Sequence, residues 1–96
     1  MALIRSACLT AGALWVKPTP TEIRSLVKAV SARKGKDLTG ADIADLLGMG
    51  ATGARTFRKW AGGEKDIPYA AWALLCELGG FGLIWRAGDK HTLLQP

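Results

Sequence analysis

Four stretches of the chain carry apolar residues at helical spacing, each bracketed by its own start and stop signals. Ile23, Leu26, Val27 and Val30 recur at i, i+3, i+4 and i+7 and define one buried face. They follow Thr19-Pro20-Thr21-Glu22, a capping box with proline at the first helical position. This first helix fades between Ser31 and Gly35. Ile43, Leu46 and Leu47 form the stripe of a short second helix, capped by Thr39, with Asp42 favouring its positive end and Gly48 ending it. A third helix runs from Thr52 or Gly53 to Ala61. It buries Phe57 and Trp60 on one side, presents Arg55, Arg58 and Lys59 on the other, and stops at Gly62-Gly63. The fourth begins at Pro68, with Asp66 as its cap, and ends at Gly79-Gly80. From Tyr69 to Leu78 it is apolar on two faces at once: Ala71, Leu74, Leu75 and Leu78, and also Tyr69, Trp72, Ala73 and Cys76. Such a helix is buried or sits in an oligomer interface.

The expected fold is therefore all-α, a compact four- to five-helix bundle containing a helix-turn-helix. Two apolar segments stand outside the helices, residues 12–16 and 81–85. Either they pair as a short β-ribbon, or both cover the helices. The division of the chain is an N-terminal arm over 1–18, a domain over 19–85 and a mobile polar tail over 86–96.

Size allows one core: at 96 residues a second independent one would be too small to be stable. Thirteen Lys and Arg against eight acids leave a net charge of +5, which favours a polyanionic partner. Cys8 and Cys76 are the only cysteines and His91 the only histidine, so the spacing suits neither a metal site nor a disulfide framework. A reducing, cytoplasmic setting fits best, with Cys76 as a small core residue. The first sixteen residues look superficially like a signal peptide. However, Arg5 is the only charge before the apolar run, and Trp15 and Val16 occupy the place of small cleavage residues. That run is also too short to span a bilayer, so no membrane association is expected. The alternative is an arm packing Leu14, Trp15 and Val16 on the domain.

Gly48-Met49-Gly50-Ala51-Thr52-Gly53 matches G-x-G-x-x-G letter for letter. A dinucleotide site needs those glycines to leave a strand and open a helix, whereas here they leave a helix. A helix C-cap and a tight turn with positive φ explain them better. Asp42 and Asp45 lie on one helix face with no nucleophile or metal ligand near, and read as solvent-facing. No cofactor, small-molecule ligand or enzymatic activity is expected.

The basic third helix is what a DNA reader needs. The major groove admits one helix, and base edges are read by long donors held rigidly from behind. Phe57 and Trp60 lock the helix, Arg55 and Arg58 point out together, and small Ala54 lets the helix approach the bases closely. Thr56 and Lys59 suit flanking phosphates, and amides at the start of the second helix, beside Thr39, suit another. Arg33, Lys34 and Lys36 either complement the dipole of the first helix or touch phosphate.

The run Leu38-Thr39-Gly40-Ala41-Asp42-Ile43-Ala44-Asp45-Leu46-Leu47-Gly48, followed by Arg55-Thr56-Phe57-Arg58-Lys59-Trp60, resembles the phage Cro/repressor-type helix-turn-helix superfamily. The continuation Gly62-Gly63, then Ile67 to Glu77, is similar to the KorC-type repressors of conjugative plasmids and integrative elements, as is Leu14-Trp15-Val16-Lys17-Pro18-Thr19. The likeness covers about residues 14–85. It implies a cytoplasmic repressor that binds palindromic double-stranded DNA as a homodimer. By position it makes Ala54, Arg55 and Arg58 base-reading and Lys59 phosphate-facing. The superfamily's turn is usually shorter than Met49 to Gly53. Either this turn bulges, or the reading helix gains almost a turn at its start and brings Ala51 and Thr52 to the DNA. The remaining expected phosphate contacts are Thr39, Thr52, Thr56, Lys34 and Lys36. The dimer surface is expected on the fourth helix and the following segment, through Trp72, Phe81, Ile84 and Trp85. A protein-interaction module, such as an antitoxin or phage-encoded inhibitor, is the competing reading, motivated by surplus apolar surface at 2–16 and 81–85.

Overall fold

A computed structural model of the chain describes residues 4–86. The expected tail lies, beyond Arg86, outside the described residues. Four α-helices form in the expected order: α1 (Pro20–Lys34), α2 (Gly40–Leu46), α3 (Gly53–Gly62) and α4 (Tyr69–Leu78). Short 3-10 turns occupy Ser6–Leu9, Gly12–Leu14 and Ile84–Arg86. None of the helices among the described residues is long and apolar enough to cross a membrane.

The Thr19 capping box closes as the sequence implies, and at Thr39 the expected cap becomes a second box, because Asp42 bonds back to the Thr39 amide. Glu22 N donates to Thr19 Oγ1 (3.2 Å) while Thr19 N donates to Glu22 Oε1 (2.8 Å). At α2 the reciprocal pair is Asp42 N to Thr39 Oγ1 (3.2 Å) and Thr39 N to Asp42 Oδ2 (2.9 Å). These bonds satisfy amide donors that a helix start otherwise leaves open. At the other end of α1, Gly35 takes the left-handed conformation (φ 77°) that lets its N–H close on Ser31 O. The start of α4 differs from expectation. Pro68 is its N-cap residue, without a side-chain cap, and Asp66 instead pairs with Lys17 at 2.8 Å. Both partners of that pair are exposed, so it contributes little stability.

No strand forms among the described residues, and the expected ribbon is absent. Gly12 (φ 41°) bends the first segment back on itself, so that Val16 N donates to Ala7 O at 3.1 Å. Around the second segment, Gly80 (φ 91°) just before it and Gly82 (φ 84°) within it break the run of extended residues that a strand requires.

α1 is central, since it packs against both α3 and α4, while α2 and α3 pack mainly on one another. Ile23, Leu26 and Val30 of α1 meet Ile43, Phe57, Trp60, Ile67, Trp72, Leu75 and Cys76 in one core. The N-terminal arm joins that core through Cys8, which is fully buried. The Cys8 carbonyl accepts two indole N–H groups, Trp72 Nε1 at 2.7 Å and Trp15 Nε1 at 3.1 Å. Trp15 also meets Tyr69 edge-to-face at 5.3 Å between centroids. Leu14, by contrast, is 76% exposed, and Val16 is exposed too, so only Trp15 of the three expected residues docks.

One carboxylate binds arm to bundle. Buried Glu22 accepts from Arg5 N, Nε and Nη2 at 2.8–2.9 Å, and from the Cys8 thiol at 3.5 Å. The Arg5 guanidinium, assisted by the Thr19 and Arg5 amides, holds this carboxyl far below its ordinary 4.5. A folded-state value below the unfolded one gives stability that is fully present above about pH 4.5 and is lost as pH falls through the folded value. We expect urea midpoints to decline with acidification below about pH 4.5 and this decline to flatten in Glu22→Gln. At neutral pH, Glu22→Gln should cost about 1–2 kcal/mol, the scale of a lost helix cap.

Candidate nucleic-acid interface

The turn between α2 and α3 decides which side chains α3 presents. It is six residues long, Leu47 to Thr52, and α3 starts at Gly53. Gly48 (φ 68°) and Gly50 (φ 79°) supply its left-handed positions. Met49 N donates back to Ala44 O, and Gly53 N to Gly50 O, both at 3.0 Å. The turn thus bulges, and the alternative of a longer reading helix is not realised. Ala51 and Thr52 stay exposed in the turn, and the Thr52 side chain caps nothing.

Gly53 sits tightly against α2 and the turn that follows it. A Cβ there would lie 2.6 Å from Met49 Cβ and 2.9 Å from Ala44 Cβ, closer than carbon atoms tolerate. Near the other end of α2, Gly40 lies against Phe57, with Arg58 Cγ and the Ala54 carbonyl beside it. Small residues on both helices therefore set their spacing.

Gly53, Phe57 and Trp60 form the buried stripe of α3, and the Phe57 and Trp60 rings meet edge-to-face at 6.1 Å. Three residues apart, Arg55 and Arg58 stand exposed on the opposite side, with Ala54, Thr56 and Lys59 half-buried on the flanks. No acidic residue occurs in α3, and none of its cations is in an ion pair among the described residues. Such a face offers donors on a fixed backbone and net positive charge to an anionic groove.

The other expected phosphate ligands lie elsewhere. Thr39 is exposed at the α2 start, but the Asp42 carboxylate already occupies its backbone amide. That bond and the Thr39 hydroxyl hold the Asp42 carboxyl below its usual range. Asp42 is thus a cap, whereas Asp45 faces solvent. Lys34 and Lys36 line a shallow cleft with Leu38, Asp42, Asp45 and Leu46, to which α3 contributes nothing. Their charge faces carboxylates along the flank of α2.

The expected dimer residues divide. Trp72 (0% exposed) and Ile84 (2%) are core residues of the single chain and cannot face a second copy. Packing of α1 and of the arm over α4 consumes that surface. Phe81 (43%) and Trp85 (46%) remain exposed.

Burial pushes the Cys76 thiol up to about 12 and raises that of Cys8, so both remain neutral and unreactive at neutral pH. Among the described residues, no three His, Cys, Asp or Glu side chains gather as metal ligands would.

Two relatives, each named transcriptional repressor protein KorC and from Escherichia coli, match most of the chain. One is 47% identical and the other 44%, each over 83 residues that span 86% of this chain and 91% of the relative. No protein-family model matches, and no solved structure does.

The α2–α3 contact yields a direct test. Gly53→Val should destabilise the fold by about 1–3 kcal/mol through overpacking against Ala44 and Met49, measured by urea denaturation. Thr52→Val, at an exposed position next to it, should leave the midpoint nearly unchanged.

Proposed function

The chain belongs to the KorC family of transcriptional repressors, and on that premise we propose that it represses by sequence-specific binding of double-stranded DNA, with α3 in the major groove. The observation carrying this reading is the outer face of α3. Arg55 and Arg58 project together from a helix whose back is locked by Phe57 and Trp60, with no carboxylate in α3 to neutralise them. In this arrangement Arg55 and Arg58 read base edges, guanine above all, and Ala54 leaves room for close approach. Lys59 and Thr56 on the flanks and Thr52 in the bulged turn address phosphates, whereas Thr39 is engaged by Asp42. Lys34 and Lys36 act at longer range, because Asp42 and Asp45 share their cleft.

One reading helix spans too few base pairs for a specific operator. A two-fold pair of copies on an inverted repeat, with recognition helices one helical turn apart, solves that. We assign the second copy to the exposed apolar residues Phe81 and Trp85. These residues are also what a protein-interaction module would use, and homodimerisation accounts for them without a further partner.

In a mobility-shift titration against DNA upstream of its own gene, Arg55→Ala with Arg58→Ala should weaken specific binding by about 100-fold or more. Lys59→Ala should instead weaken all sequences alike and reduce the salt slope by about one. Retained affinity and sequence preference in the double-arginine variant would show that α3 is not the reader.

For the assembly, Trp85→Ala should give a folded monomer by light scattering. Trp72→Ala should cost about 3–5 kcal/mol of stability, since it empties a core site. A Trp85→Ala variant that stays dimeric would move the interface elsewhere.

A further inference from the structure

Side chains interlocked with α1 and α2 set the general placement of α3, and a directional bond can pin its end further. A directional tie exists at one end. Arg24 of α1 donates from Nη1 to the Ala61 carbonyl at 2.7 Å, and from Nη2 to Thr21 Oγ1 at 3.4 Å. Among the described residues this is the one side-chain hydrogen bond that reaches α3. It falls on the last turn of α3, where carbonyls lack helical partners and the helix carries partial negative charge. A guanidinium is the donor best suited to such a carbonyl.

A second contact comes from the same side of α1. Gly63 ends α3 in the left-handed conformation (φ 85°), and a Cβ there would sit 3.1 Å from Pro20 Cγ. The first two turns of α1 therefore grip the C-terminal end of α3, while Ala44 and Met49 bracket its N-terminal end at Gly53. Arg55 and Arg58 lie between the two grips.

We propose that Arg24 is a positioning residue for DNA reading: it sets the tilt of α3 and thereby the discrimination made by Arg55 and Arg58. The proposal rests on the reading of α3 as the recognition helix. Hydrogen bonds to base edges tolerate little displacement, whereas attraction to phosphate tolerates much. A misplaced α3 therefore loses specificity before it loses affinity.

The test compares the wild-type chain with Arg24→Gln and Arg24→Lys on two duplexes. One is the sequence most enriched by in vitro selection with the wild-type protein, and the other is a scrambled duplex of equal composition. Arg24→Gln should reduce the ratio of specific to non-specific affinity by roughly tenfold, about what one mismatched base pair costs. Its binding to the scrambled duplex and its salt slope should stay unchanged. Arg24→Lys, which keeps the charge, nearly the length and one donor nitrogen, should recover part of the ratio. Equal weakening on both duplexes with a slope reduced by about one would make Arg24 a phosphate contact and overturn the proposal. An unchanged ratio with a lowered melting temperature would overturn it too, leaving a purely structural role.

Amide exchange in the DNA-free protein separates this from failure of the parent reading. Arg24→Gln should speed exchange in the last turn of α3 and spare α4. If selection enriches no sequence, the DNA-reading function fails, while the exchange result still decides whether Arg24 holds α3. Unaltered exchange in α3 would sink the tie itself.

Discussion

The Glu22 carboxylate is the point on which this small domain turns. Its oxygens accept from the Thr19 amide, which starts α1, and from three Arg5 donors and the Cys8 thiol, which bring in the arm. A buried carboxylate is costly unless charge-assisted hydrogen bonds surround it, and here they do. The arm so placed delivers the Cys8 carbonyl to the indole of Trp72 at the centre of α4. One side chain thus couples the first residues of the described chain to α1 and, through the arm, to α4.

From α1 the order passes outward to the surface proposed here to read DNA. α1 holds α3 by the apolar contacts of the common core and by Arg24, and α2 holds it through the close approach at Gly53. Rigidity of this kind matters for a reader of base edges. Each long arginine keeps its own rotamer freedom, so any precision must come from the backbone that carries it. The α3 face meets that need with two exposed arginines above a buried aromatic pair.

Several features were legible because their signals are local. The capping box at Thr19, the cap at Thr39 and the stripe of Phe57 and Trp60 each follow from residues within one or two helical turns. The glycine turn was legible as a turn but not in its course, since Met49 folding back onto Ala44 depends on both helices being packed. Where expectation failed, a distant partner was the cause. Asp66 pairs with Lys17 rather than capping α4, and Trp72 is covered by α1 and the arm rather than by a second copy. The apolar segments at 12–16 and 81–85 have the residues of strands, yet positive-φ glycines turn them into 3-10 turns and bends.

The amino-acid sequence by itself determined the helices, their ends apart from the cap of α4, and the outward side of α3, because periodicity and capping act over a few residues. It also carried the likeness that the KorC relatives match at 47% and 44% identity. Only the tertiary structure decided which apolar residues are core and which remain exposed, and which cations of the described residues join ion pairs. Arg24 illustrates the reason. It lies 37 residues from its partner carbonyl, and nothing in its own neighbourhood distinguishes it from Lys28 or Arg33 until the helices have packed.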